Sequence, residues 1–169
     1  VALVVPDTVA KVSLLKLDRS AIAEAVAHPE WTRLSAAFLV VPGLCLGVGA
    51  GFALAAKLVR PDDDVWLVWG DGAAGYGVVE LDTFARHQLP VVCVVGNDGA
   101  WTQIAREQVP MLGDDVGTQL GRTAFHEVAE SLGARGLLLD DPSRIEATFR
   151  EARTIARAGM PVLVNAHIG

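Results

Sequence analysis

Two short runs constrain this chain more than anything else in it. Val65-Trp66-Leu67-Val68-Trp69 and Val91-Val92-Cys93-Val94-Val95 are wholly apolar, and each stops at a glycine, Gly70 and Gly96. A strand with one wet face alternates apolar and polar residues. A run without a polar residue suits a strand covered on both faces. Gly75 to His87 lies between the two runs, and its apolar residues Val78, Val79, Leu81 and Phe84 fall at mixed three- and four-residue spacing, as on a helix. Strand, helix and strand in that order predict a parallel pair joined by a crossover helix.

The alternation continues on both sides. Val48 to Val59 predicts a helix of small residues ahead of Pro61. After a polar loop, Thr123 to Leu132 predicts a helix stopped at Gly133, and Ala134 to Leu139 a short strand. A helix opens at Asp141-Pro142-Ser143, runs to about Ala158 and stops at Gly159; Pro161 to Asn165 is then the last strand. Nearer the N-terminus, Ser20 to His28 reads as a short helix ended by Pro29, and Phe38 to Val41 as a strand. The fold class is α/β: a doubly wound, mainly parallel sheet flanked by helices, expected as one domain over residues 1–169.

Composition narrows the function. At 51% apolar and 20% charged, the 169 residues can bury a sizeable core. Fourteen Lys and Arg against twenty Asp and Glu give −6, which argues against an electrostatic nucleic-acid binder. The longest apolar stretch, Ala36 to Val59, is cut by Pro42, Gly43, Gly47, Gly49, Gly51 and Lys57, so no membrane span is expected. Cys45 and Cys93 lie in apolar runs without metal-ligand spacing. They read as buried thiols in a reducing compartment and, with no signal-peptide pattern visible, a cytoplasmic location is expected.

The chemistry concentrates where the two apolar runs end. Gly70-Asp71-Gly72-Ala73-Ala74-Gly75 and Gly96-Asn97-Asp98-Gly99-Ala100-Trp101 both follow predicted strands, and ligands of open α/β sheets bind at the carboxyl ends of strands. If the strands are neighbours, the side-chain oxygens of Asp71 and Asn97 converge. An Asp carboxylate, an Asn amide oxygen and the Gly99 carbonyl are the hard ligands that Mg²⁺ takes when it shares a diphosphate. Glycines let a backbone approach phosphate, and the N–H groups of Gly72 and Ala73 open the next helix. Taken singly, each loop is read first as a helix N-cap or a turn. The pair at this spacing is what points to a ligand.

The same stretch, GDGAAGYGVVELDTFARHQLPVVCVVGNDGAWTQIAREQVP, resembles the thiamine-diphosphate-binding motif. It is similar to acetolactate-synthase-like and 2-hydroxyacyl-CoA lyase proteins over roughly residues 43–169; residues 1–42 match that family poorly. The resemblance implies a thiamine-diphosphate-binding fold holding thiamine diphosphate and Mg²⁺. Asp71, Asn97 and Gly99 would ligate the metal, and Gly70, Gly72, Ala73, Asn97, Gly99 and Ala100 would lie against the cofactor. Leu46 would prop the cofactor in its bent form. The resemblance further implies carbon–carbon lyase or synthase activity on a small 2-oxo acid or acyl-CoA. It implies an oligomer, with a pyrimidine-binding domain or partner subunit supplying the catalytic glutamate. No catalytic residue is assigned to this chain, which alone would catalyse little. A non-catalytic or regulatory cofactor-binding piece is the rival reading. Ala73 and Ala74 depart from the family, which often has a serine or a bulky aromatic there.

Other signals are weaker. Trp101, Thr102 and Gln103 could face substrate, whereas Arg106 and Glu107 suit the surface. His28, His126 and His167 share no ligand spacing. The glycines of Gly47-Val48-Gly49-Ala50-Gly51 lack the dinucleotide spacing, and no serine-hydrolase elbow is present.

Overall fold

The apolar runs form the middle of a five-stranded, fully parallel sheet in the computed structural model, which describes residues 38–40 and 47–169, all within a compact unit spanning Ala36–Gly169. The strands are β1 (Phe38–Val40), β2 (Val65–Gly70), β3 (Val91–Asn97), β4 (Arg135–Leu139) and β5 (Val162–His167), in the spatial order β1-β2-β3-β5-β4. The helices are α1 (Gly49–Val59), α2 (Asp71–Gly77), α3 (Glu80–Arg86), α4 (Thr102–Leu112), α5 (Phe125–Ser131) and α6 (Ile145–Arg157), the last preceded by a 3₁₀ turn at Pro142–Arg144. The predicted helix at Ser20 to His28, together with Cys45 and Leu46, lies outside the described residues.

Handedness explains the layers. The chain steps β1 to β2 to β3 and on to β4 in one direction across the sheet, then back from β4 to β5. Parallel crossovers are right-handed, so the forward steps place their helices on one face and the backward step places its helix on the other. Accordingly, Ala50 and Ala53 of α1, Ala74 of α2, Leu81 and Phe84 of α3, and Phe125 and Ala129 of α5 share one core. That core also takes Val65, Leu67, Trp69, Val91, Cys93, Val95 and Leu163 from the sheet. Ala152 and Ala156 of α6 share the other core with Val92, Val94, Val162 and Val164. Each fully buried Val or Leu contributes roughly 1.5–3 kcal/mol, so β3 and β5, covered on both faces, form the rigid frame. On β2 only one face is fully covered: Val65, Leu67 and Trp69 are buried, while Trp66 and Val68 are half-buried beside α6.

Two expectations need correction. The helix predicted from Gly75 to His87 begins four residues earlier, at Asp71, and is divided at Val78-Val79. There the bonds from Leu81 N–H to the Val78 carbonyl and from Asp82 N–H to the Val79 carbonyl tighten the chain to i→i+3 pairing. The polar loop expected before Thr123 contains α4. No residue of α4 is buried, and Gly113 closes it at φ 71°. Gly133, at φ 86°, ends α5 as expected.

One long-range clamp holds α6 to the sheet. Arg153 donates to Asp64 at 2.7 Å, and Arg157 donates to both oxygens of the same carboxylate at 3.0 and 2.9 Å. Burial acts to raise the Asp64 carboxyl, but the hydrogen bonds from Arg157 and Arg153 outweigh it and hold the group below its ordinary value. A depressed folded value means the clamp stabilises above the unfolded carboxylate's value of about 3.9 and is lost as pH falls through the folded one. Asp64→Asn is therefore expected to lower stability by roughly 1 kcal/mol at pH 7, discounted because both guanidinium groups are partly wet. The gap between the thermal melts of the two proteins should be full at neutral pH and should close only as pH falls through the depressed folded value, below the ordinary carboxylate range; a gap that does not narrow as the carboxylate is titrated would refute the assignment.

Candidate functional site

Parallel pairing in register puts Gly70 of β2 beside Gly96 of β3, and Gly96 beside Ala166 of β5. Three strands thus end side by side, and the Asp71 and Asn97 segments leave the sheet together. Asp71 is the first residue of α2, after an extended Gly70 at φ −80°, ψ 159°. Its carboxylate is 5% exposed. One oxygen accepts from the Gly72 N–H and the other from the Gly99 N–H, each at 2.8 Å. Asp71 therefore ties the loop after β2 to the loop after β3.

Gly72 has a different reason for being glycine than an approaching phosphate. A Cβ there would lie 2.7 Å from the Trp101 ring, so the indole rests directly on the start of α2. Trp101 also meets Tyr76 edge-on, with centroids 6.3 Å apart. The Trp101 backbone N–H donates to the Thr118 carbonyl at 2.7 Å, and its backbone carbonyl accepts from the Ala105 N–H at 2.9 Å.

Asn97 ends β3 and is fully buried. Its amide nitrogen donates to the Thr123 carbonyl at 3.0 Å and to Oδ1 of Asn165 at 3.1 Å, whereas its own Oδ1 is buried with no hydrogen-bond partner. Buried amide oxygens are normally paired, so an orphaned one calls for an explanation. Gly99, at φ 76°, turns the loop in a conformation that suits glycine. Its carbonyl accepts from the Leu120 N–H at 2.7 Å, which leaves one lone pair. The Ala100 N–H donates to Asp98 Oδ1 at 3.2 Å. Ala73 packs, half-buried, against the core. Gly70 is exposed at the strand end.

The structure thus brings Gly70, Asp71, Gly72, Ala73, Asn97, Gly99 and Ala100 to one end of the sheet. The N–H groups of Gly72 and Ala100 are hydrogen-bonded locally to carboxylates. A cleft of about 210 Å³ opens beside them, lined by Asp71, Gly72, Trp101, Leu120, Thr123 and Phe125, among others. Small-molecule pockets typically hold roughly 300–1,000 Å³, so this one accommodates part of a cofactor. Among the described residues no group of three His, Cys, Asp or Glu could hold a metal ion, so any cation here relies on one carboxylate plus amide and carbonyl oxygens. No helix among the described residues is long and apolar enough to cross a membrane. Cys93 is buried, and burial pushes its thiol well up, which leaves it chemically quiet.

Sequence reasoning missed both partners of the Asn97 amide, Asn165 and the Thr123 carbonyl. Asn165 is fully buried on β5, and its amide nitrogen lies 3.3 Å from the Thr123 carbonyl and 3.2 Å from His126 Nδ1. The available signal was the single amide in Val162-Leu163-Val164-Asn165-Ala166, where every neighbour is apolar. The Thr123 carbonyl carries no sequence signal, because any residue supplies one.

Comparison with known proteins agrees with this fold. Residues 19–166 match the family model described as "Thiamine pyrophosphate enzyme, C-terminal TPP binding domain", a span that takes in residues 19–42 as well as the motif-bearing stretch. The chain is 54% identical over 126 residues to 2-hydroxyacyl-CoA lyase 2 of Homo sapiens, covering 73% of this chain and 20% of the relative. It is 39% identical over 122 residues to an acetolactate synthase large subunit of Mycobacterium tuberculosis, covering 72% and 22%. The thiamine diphosphate-dependent 4-hydroxybenzoylformate decarboxylase of Rhodococcus jostii superposes with a TM-score of 0.65 at 27% identity, covering 73% of this chain and 23% of that one. The chain spans about a fifth of the length of the curated relatives it matches.

Proposed function

Since the chain belongs to the thiamine pyrophosphate enzymes, as their C-terminal cofactor-binding domain, we propose that it holds the diphosphate end of thiamine diphosphate through a Mg²⁺ ion. Asp71, Asn97 and the Gly99 carbonyl would be the metal ligands. The observation that carries this reading is the orphaned Oδ1 of Asn97, a buried acceptor in the loop that the Asp71 carboxylate joins to its own. An oxygen of this kind without a donor is what a hard divalent cation requires. The donor set also fits: a single carboxylate leaves positive charge on the cation for diphosphate to neutralise.

The chemistry such a cofactor supplies when bound is an electron sink for making or breaking a carbon–carbon bond beside a carbonyl. The residues of this chain do the holding. Asp71 fixes the two loops against each other, and the buried frame of β3 fixes Asn97. Trp101 and Phe125 wall the cleft. The whole protein would be a carbon–carbon lyase or synthase acting on an acyl-CoA or a small 2-oxo acid. The similarity to 2-hydroxyacyl-CoA lyase 2 supports the former substrate and that to acetolactate synthase the latter. A separate pyrimidine-binding domain or subunit would complete the site.

Calorimetric titration with thiamine diphosphate, with and without Mg²⁺, tests the reading. Binding that requires Mg²⁺ is the expected result. Equal binding without it would remove the metal from the site. If binding appears only when a pyrimidine-binding chain is added, the site is shared between the two.

A further inference from the structure

The Asn97 amide could face either way; what sets its orientation is a backbone carbonyl and one buried side chain. The Thr123 carbonyl can only accept, and it receives the amide nitrogens of both Asn97, at 3.0 Å, and Asn165, at 3.3 Å. Turning either amide over would set oxygen against oxygen. With its nitrogen committed to Thr123, Asn165 presents Oδ1 to the Asn97 amide nitrogen at 3.1 Å. Its nitrogen also meets His126 Nδ1, which therefore takes the acceptor role. Both donors of Asn97 are thereby used, and its Oδ1 is left over.

We propose that Asn165 is a positioning residue for metal binding. It locks the Asn97 amide with its oxygen directed to the cation and its nitrogen turned into the protein. The inference rests on the Mg²⁺ reading of the preceding section. Register supports it: Asn165 pairs with Val95, two residues before Asn97, and Leu163 on its own strand faces the same core as Val95. The two amides therefore stand on the same face of the sheet, beneath the segment that carries Thr123 and His126. A leucine at 165 would fill the same volume and satisfy the apolar pattern of β5, yet it would leave one Asn97 donor unpaired and the amide held by the Thr123 carbonyl alone.

The test measures the Mg²⁺ concentration that gives half-maximal thiamine diphosphate binding in the complete natural protein. Asn165→Leu is expected to raise it about tenfold or more, the usual effect of removing a group that orients a metal ligand. Val164→Ala is the control for a purely structural loss. Val164 is equally buried on β5 but faces the opposite core, so this variant should melt lower while keeping the native Mg²⁺ dependence. Native Mg²⁺ dependence in Asn165→Leu would overturn the proposal and leave the metal reading intact. Mg²⁺-independent binding by the native protein would overturn both, and that failure is seen before any variant is made. If Asn165→Leu does not fold, proton exchange at the Asn97 side-chain amide of the ¹⁵N-labelled native protein decides. Slow exchange of both protons is expected, and rapid exchange overturns the lock.

Discussion

Asp71→Ala is expected to abolish Mg²⁺-dependent binding of thiamine diphosphate. The carboxylate is the only formal negative charge in the proposed ligand set; the amide of Asn97 and the carbonyl of Gly99 are neutral. Loss of an outer orienting group typically weakens a metal site about 10–100-fold, so loss of the charged ligand should exceed a hundredfold. The substitution has a structural effect as well. The N–H groups of Gly72 and Gly99 lose their acceptor, at roughly 1–3 kcal/mol, and the loops after β2 and β3 lose their tie. The titration should therefore be run below the variant's melting transition, which circular dichroism locates. A folded Asp71→Ala protein with native affinity for the Mg²⁺–cofactor pair would remove the metal from this site.

Asp71 and Asn97 were legible because they are polar residues at the ends of runs without any. Burial on both faces of β3 excludes polar side chains, so the first polar residue after Val95 marks the place where the sheet ends and a ligand can reach. The same logic made β5 and α6 legible through their glycine stops, Gly159 above all. Other features depend on contacts that no local pattern encodes. The residues of α4 are all at least partly exposed, so no buried stripe distinguishes Thr102–Leu112 from a polar loop. The Asp64 clamp joins residues 89 and 93 positions apart. Trp101 reaches Gly72 only because β2 and β3 are neighbours, which makes a glycine that suits phosphate approach serve an indole. Asn165 was open to inference as a lone amide in an apolar strand, but its partner at Thr123 is backbone.

Gly136→Ala is expected to be the most damaging single-methyl change in the described fold. A Cβ at 136 would lie 2.0 Å from the His126 carbonyl oxygen, 2.6 Å from its carbon and 3.0 Å from its Cα. All three are backbone atoms of α5, so no rotamer change relieves the overlap. Either α5 lifts from β4 or β4 shifts in its pairing with β5, in which Gly136 faces Leu163. Adding a methylene to a packed interior typically costs about 1–3 kcal/mol, and a rigid backbone obstacle puts this case at the upper end or beyond. For a domain of this size that corresponds to a melting temperature lower by roughly 10 °C. The effect should not stop at stability. His126 and Thr123, which hold Asn165 and Asn97, lie on α5 and just before it, so lifting α5 loosens the amide lock. Gly136→Ala should therefore weaken Mg²⁺-dependent cofactor binding although residue 136 is not among those lining the cleft. Val164→Ala, of comparable destabilisation, should not. A Gly136→Ala protein that melts with the native one would mean that β4 and α5 do not approach this closely. A variant that melts lower yet binds the cofactor with native Mg²⁺ dependence would mean that α5 can move without disturbing Asn97.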